Sequence, residues 1–214
     1  MKAIVIGGSG ATGRELVKQL LSDERFRKVI TLVRRPYFES HQKLEEIIVD
    51  FEHLASSQDV IKGDVAFSCL GTTLKDAGSK EAQWHIDYDY PYHFAKMAYD
   101  NGIASFVLLS AAGANAQSSI FYNRMKGSLE DAIKKIGFAQ FLILQPGGID
   151  RPNTDRLGEK IGLKVLKVFN SVGLFKQYEP IQTHLLAKAM IESFFQYKKP
   201  IHVLSLKEIQ RLTN

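Results

Sequence analysis

Two tyrosines in the chain stand four residues ahead of a lysine: Tyr92 with Lys96, and Tyr122 with Lys126. On a helix that spacing brings both side chains to one face. A phenol, with an unperturbed pKa of about 10, can pass its proton to a carbonyl oxygen once a nearby cation makes the phenolate accessible. The spacing is common by chance, so position has to choose between the pairs. Tyr122 opens a helical stretch that follows an apolar strand, and Ser110 at the end of that strand lies twelve residues before it. A hydroxyl there can polarise the same oxygen that Tyr122 protonates. Tyr92 has no such serine and sits among Tyr88, Tyr90, Phe94 and Tyr99, a set that suits helix packing. Ser110, Tyr122 and Lys126 are therefore the candidate proton-transfer group.

A second constellation lies at the amino terminus. Gly7-Gly8-Ser9-Gly10-Ala11-Thr12-Gly13 falls between an apolar strand and an amphipathic helix. Glycines are needed where a chain turns tightly and where backbone must approach a pyrophosphate, and the helix N-terminus then offers free N–H groups to the anion. This placement predicts a dinucleotide site. NAD-selective sites carry Asp or Glu at the end of the second strand, but here Ile30-Thr31-Leu32-Val33 ends in Arg34-Arg35. Guanidinium groups pair bidentately with a 2′-phosphate, so NADP(H) is favoured over NAD(H). Asp50, closing the third strand, has two roles open to it: reaching the adenine amino group, or capping a turn.

The elements that must position these residues alternate. Apolar runs at Lys2 to Ile6, Val29 to Val33, Glu46 to Val49, Asp64 to Cys69, Ser105 to Leu109, Phe141 to Leu144 and Ile201 to Leu204 read as strands. Helical patterns cover Arg14 to Leu21, Pro91 to Tyr99, Phe121 to Lys135 and Thr183 to Phe195. Strands that are apolar on both faces and separated by helices predict an α/β, Rossmann-type doubly wound parallel sheet with helices on both faces. Ligands then bind at the carboxyl ends of the strands, where every motif named above falls.

Composition narrows the classes. A chain of 214 residues with 45% hydrophobic and 24% charged residues suits one soluble domain over 1–214, with 151–180 as a small substrate or lid segment. No apolar run approaches the roughly 18 residues of a membrane span. The net charge of +5 suits an anionic small ligand, and the basic residues form no dense stripe for nucleic acid. The one cysteine, Cys69, excludes an internal disulfide and a multi-cysteine zinc site, and points to the cytoplasm as the default compartment. The six histidines show no metal-ligand pairing, so no metal is expected. Lys160, Lys164 and Lys167 alternate with Ile161, Val165, Leu166, Val168 and Phe169, a stretch able to cover a substrate, meet a protein partner or a second copy, or touch a membrane surface.

Taken together, Gly7-x-x-Gly10-x-x-Gly13, Cys69-Leu70-Gly71-Thr72-Thr73, Leu108-Leu109-Ser110, Tyr122-Asn123-Arg124-Met125-Lys126-Gly127 and Gln145-Pro146-Gly147 resemble the short-chain dehydrogenase/reductase superfamily. Within it the chain is most similar to the atypical, NmrA-like branch that includes the Tat-interacting-protein type of oxidoreductase. The resemblance implies that Gly7, Ser9, Gly10, Ala11, Thr12 and Gly13 hold a pyrophosphate, and Arg34 and Arg35 a 2′-phosphate. It implies that Leu70, Gly71 and Thr72 line the nicotinamide ribose, that Lys126 binds that ribose and lowers the Tyr122 pKa, and that Pro146, Gly147 and Ile149 abut the nicotinamide. Relatives often carry Ser-Ser where this chain has Ser110-Ala111, and Arg-Pro-Gly where it has Gln145-Pro146-Gly147. The expected activity is NADP(H)-dependent hydride transfer on a small carbonyl or alcohol substrate. The rival readings are an NADP(H)-sensing regulatory protein without turnover and a sugar-nucleotide epimerase or dehydratase.

Overall fold

The computed structural model describes residues 1–150 and 179–213. The amphipathic stretch around Lys160 to Phe169, and the proposed substrate segment up to residue 178, lie outside the described residues. The strands are β1 (Lys2–Ile6), β2 (Lys28–Val33), β3 (Leu44–Ile48), β4 (Val65–Ser68), β5 (Ser105–Leu109), β6 (Gln140–Gln145), β7 (Ile149–Asp150), β8 (Ile181–Gln182) and β9 (Ile201–Ser205). Seven of them form one sheet in the order β3-β2-β1-β4-β5-β6-β9. Every neighbouring pair in it is parallel, the arrangement expected of a Rossmann-type sheet. The chain order reverses at β1, which pairs with β2 on one side and β4 on the other. That reversal opens a crevice at the carboxyl ends of β1 and β4.

Alternating residues of the strands feed two cores. Ala3, Val5, Phe67, Val107 and Leu142 face one side, where helices α1 (Ala11–Ser22) and, late in the chain, Thr183–Gln196 pack against each other. Ile4, Ile6, Ala66, Phe106 and Phe141 face the other, covered by helices near residues 90–100 and 121–134. Both faces are buried, which is why the strands read as continuous apolar runs rather than alternating ones.

Three differences from the sequence expectation have physical causes. β3 runs Leu44–Ile48 rather than Glu46 to Val49. It is an edge strand, only half-buried, so its apolar pattern is weak. The helix expected to start at Pro91 is the end of a longer helical run. Its parts are α2 (Leu74–Ala77), α3 (Lys80–Trp84), a π turn (His85–Asp89) and α4 (Tyr90–Asp100). Ser79 caps α3 by accepting from Ala82 N at 3.1 Å, and the wide π turn precedes Pro91, which has no N–H to give. Beyond α5 (Phe121–Lys134) and α6 (Thr183–Gln196), the chain continues past β9 into α7 (Leu206–Arg211), capped reciprocally by Ser205 and Glu208.

Candidate functional site

The glycine loop forms one wall of a cleft of about 640 Å³ at the sheet's reversal point. Gly7 has φ +73°, and a Cβ there would lie 2.6 Å from the backbone of Cys69 and Leu70. A Cβ on Gly13 would lie 2.1 Å from Gly7 O. The loop therefore closes on itself through Gly10 N–H donating to Gly7 O at 3.0 Å, and only glycine fits at either end. Gly10, in extended conformation, caps α1 with no side chain, and the first turn of α1 carries no acid. The helix dipole and its first N–H groups are left for an anion, which is the fit a diphosphate requires. Ala11, Thr12 and Gly13 form that first turn.

Gly7, Ser9, Gly10, Arg34, Leu70, Gly71 and Thr72 all line the cleft. Arg35 is exposed beside Arg34. Sequence reasoning overlooked Arg14 and Tyr37: Arg14 Nη1 on α1 donates to Tyr37 Oη at 3.2 Å, tying the helix to the loop that carries Arg34 and Arg35. Asp50 takes the capping role of the two open to it. Its carboxylate accepts from Glu52 N at 3.0 Å and meets His53 Nδ1 at 2.8 Å, and the His53 contact holds it below the ordinary carboxylate range. Its side chain is mostly exposed and does not line the cleft. The acid that does line that end is Glu52, next in the chain but one. His85 bridges Glu52 at 2.9 Å and Asp89 at 2.7 Å, and Tyr90 Oη donates to Glu52 as well. The hydrogen bond to Asp89, then that to Glu52, raises the His85 pKa. Burial, then the bond to Glu52, pushes the Tyr90 phenol up to about 12.

The two Tyr/Lys pairs separate sharply. Lys96 is exposed and its ammonium pairs with Asp100 at 2.6 Å, while Tyr92 stacks on Tyr88 with ring centroids 6.1 Å apart. Lys126 is buried, with 2% of its side chain accessible. Its Nζ lies 5.8 Å from the centre of the Tyr122 ring and 3.5 Å from Asp87 Oδ2, on a side chain with no accessible area. Asp87 is a functional candidate that sequence reasoning missed. It sits in the π turn, and its Oδ1 accepts from Thr72 N at 2.7 Å, so one carboxylate joins the cleft-lining loop to the buried ammonium. A Cβ on Gly71 would stand 3.5 Å from Asp87 Oδ2 and 3.9 Å from Lys126 Nζ, so Gly71 is the thin wall between the pair and the cleft. Burial raises the Asp87 pKa despite Lys126. Burial also acts to lower that of Lys126, but Tyr122 and Asp87 outweigh it and hold the ammonium above its ordinary value. Gly127 lets α5 approach the preceding loop, since a Cβ there would lie 2.3 Å from Ala116 N.

Ser110 is buried, and its hydroxyl donates to Glu130 Oε1. Glu130 is buried too, and accepts from Gln145 Nε2 at 2.9 Å. The Ser110 proton therefore points at a carboxylate, and Ser110, Tyr122 and Lys126 stand outside the residues that line the cleft. Pro146 O accepts from Ala112 N at 2.8 Å, binding the β6 end to the loop after Ser110, while Gly147 and Ile149 are half-buried beside it and none of the three lines the cleft.

Comparison with known proteins agrees with this geometry. The NAD(P)H-binding family matches residues 7–169. The chain is 33% identical over 200 residues to "Protein FMP52, mitochondrial" of Candida albicans, covering 90% of this chain and 87% of that one. It is 35% identical over 147 residues to "Protein HTATIP2" of Rattus norvegicus, covering 67% and 60%. In fold it is similar to a short chain dehydrogenase family protein of Francisella tularensis, with TM-score 0.68, 16% identity and 98% of each chain covered. It is likewise similar to the UDP-glucose 4-epimerase of Thermotoga maritima, with TM-score 0.71, 12% identity, and 99% and 81% covered. The cytoplasmic expectation is overturned here, because several fungal relatives are named mitochondrial. A lone cysteine excludes an internal disulfide, but it does not distinguish one disulfide-free compartment from another. Among the described residues no helix is long and apolar enough to cross a membrane. With the glycine cradle, the parallel sheet and these relatives in agreement, the chain belongs to the NAD(P)H-binding family.

Proposed function

We propose that the chain is an NADP(H)-dependent oxidoreductase acting on a carbonyl or alcohol carbon. When bound, the nicotinamide supplies or accepts the hydride. The glycine loop and the α1 terminus hold the pyrophosphate, and Arg34 and Arg35, with Arg14 beside Tyr37, hold the 2′-phosphate. Leu70, Gly71 and Thr72 line the ribose next to the nicotinamide, and Pro146, Gly147 and Ile149, outside the cleft lining, are the residues the resemblance sets against the nicotinamide. Tyr122 gives or takes the proton at the substrate oxygen, Lys126 stabilises its phenolate and reaches the ribose, and Ser110 orients that oxygen. Asp87 holds Lys126 in place.

One observation carries this reading: a buried ammonium, ion-paired with a buried carboxylate, lies beside a tyrosine ring and behind the glycine wall of the dinucleotide cleft. Buried, charge-paired groups next to a cleft are candidates for a working site. The test is a fluorescence titration with NADPH and NADH, together with NADPH oxidation against a panel that includes 9,10-phenanthrenequinone. Tyr122→Phe should bind NADPH as the wild type does and lose turnover by a factor of 10² or more, the usual share of a positioned acid. A second reading, an NADP(H) sensor without turnover, has one observation in its favour: the only Ser110 hydroxyl proton is directed to Glu130. NADPH binding with no oxidation of any panel member would establish the sensor reading.

A further inference from the structure

Tyr122, Lys126 and Glu130 follow one another at intervals of four on α5, so they share one face of that helix. The first two belong to the site above. The third is a buried carboxyl group that the proposed reaction does not use. Its partners come from two strand ends: Ser110 after β5, whose hydroxyl donates to Oε1, and Gln145 ending β6, whose amide donates to Oε1 at 2.9 Å and Oε2 at 3.1 Å. Both are neutral. Among the described residues, the charged groups acting on Glu130 lie on α5 itself: Lys134 with Nζ 4.0 Å from Oε2, Asp131 beside it, and Lys126 one turn before. No cation reaches it from the strand ends among the described residues.

We propose that Glu130 is a positioning residue whose proton sets the orientation of the Ser110 hydroxyl, and so decides whether the site can receive a carbonyl oxygen. The inference rests on the oxidoreductase reading. A hydroxyl has one proton and two lone pairs. While Glu130 is ionised, Ser110 spends its proton on the carboxylate and has only lone pairs left for a substrate oxygen, which repel a carbonyl oxygen. When Glu130 holds a proton, it no longer requires the one from Ser110, and that hydroxyl is free to turn and donate to substrate. No bond is made or broken in this step beyond the transfer of one proton between solvent and Glu130. Burial raises the Glu130 pKa, with Ser110 and Gln145 opposing it, so the change falls above the ordinary carboxylate range.

The experiment has two arms. In the first, the full chain labelled with ¹³C at glutamate carboxyl carbons is titrated by NMR, as wild type and as Ser110→Ala, with Glu130→Gln identifying the resonance. The Glu130 midpoint should rise in Ser110→Ala, because the carboxylate loses a donor; an unchanged midpoint overturns the proposal whatever the protein turns over. In the second arm, kcat/KM for 9,10-phenanthrenequinone with NADPH is measured against pH. The wild type should show a limb on which the rate falls about tenfold per pH unit above the Glu130 midpoint. Glu130→Gln, which cannot ionise, should lose that limb while keeping wild-type NADPH affinity. A limb that persists in Glu130→Gln overturns the proposal. Wild-type protein that binds NADPH but never oxidises it, with the NMR coupling intact, overturns the oxidoreductase reading itself and leaves the Ser110–Glu130 proton coupling established.

Discussion

Replacing Lys126 by Met removes the ammonium and keeps most of the volume, so it isolates the charge. In the wild type, Lys126 Nζ and Asp87 Oδ2 are 3.5 Å apart with both side chains essentially inaccessible. At an effective dielectric of about 20, that separation is a gross attraction of about 5 kcal/mol, set against the desolvation of both groups. Removing one partner of a buried pair costs on the order of 3–5 kcal/mol, because a charge is left without compensation. Asp87 keeps its bond from Thr72 N at 2.7 Å, which places the expected loss near the lower end, about 3 kcal/mol at pH 7. For a chain of this size that is a fall in Tm of about 6–12 °C. The variant has an escape: Asp87, already raised by burial, takes up a proton. Its folded state then binds more protons than its unfolded state, so stability decreases as pH rises between the unfolded and folded pKa values and recovers as pH falls. Denaturant unfolding of Lys126→Met at pH 7 and pH 5 should show the gap to wild type narrowing by up to about 1.4 kcal/mol per unit within that window. Asp87→Asn strands the ammonium instead, and the double variant should recover at least about 2 kcal/mol of the summed losses. A fall of less than about 2 °C in Lys126→Met, with no recovery at pH 5, would refute the claim that this pair is buried and charged.

Other outcomes follow from the same geometry. Gly13→Ala places a Cβ 2.1 Å from Gly7 O, so NADPH binding should be lost in a titration, with stability lowered by about 2 kcal/mol or more. Arg34→Ala combined with Arg35→Ala should weaken NADPH by roughly 2 kcal/mol, about thirtyfold, and leave NADH unchanged; equal effects on both would remove the 2′-phosphate assignment. His85, raised by Asp89 and Glu52, adds stability that is fully present below its unfolded pKa of about 6.5 and is lost as pH rises through its higher folded value. The pair is half-exposed, so His85→Gln should erase no more than about 1 kcal/mol of pH-dependent stability, read as a Tm difference that closes by pH 9.

The parts of this site that could be read from the chain are the local ones. The glycine loop, the strand ends and the Tyr122 to Lys126 spacing depend on neighbours within a few residues, so pattern alone placed them. Asp87 was hidden because an acid among Trp84, His85, Tyr88 and Asp89 reads as part of a solvated helical face. Only the π turn, which shifts the helical phase, brings it behind Gly71. Glu130 was hidden for a related reason: four residues from both Lys126 and Lys134, it looks like a surface ion pair, whereas the β5 and β6 ends bury it. α7 did carry a signal, the Ser205-x-x-Glu208 capping box, and the short edge strand β3 carried little.

The distribution of buried polar groups also bears on the choice between enzyme and sensor. A protein that only registers NADP(H) needs a cradle for the pyrophosphate and cations for the 2′-phosphate, and both lie at the glycine loop and the end of β2. Neither of those ends needs a desolvated ammonium, so Lys126 serves a sensor only through the ribose contact proposed above. Yet the fold buries Lys126 and Asp87 together, leaves Asp87 Oδ2 without an aligned hydrogen-bond donor, and places Glu130 and Ser110 out of water at the neighbouring strand ends. Such an arrangement adds little stability over well-packed apolar residues of similar volume. The ammonium lies 5.8 Å from the centre of the Tyr122 ring, and it is there that the proposed proton transfer uses it.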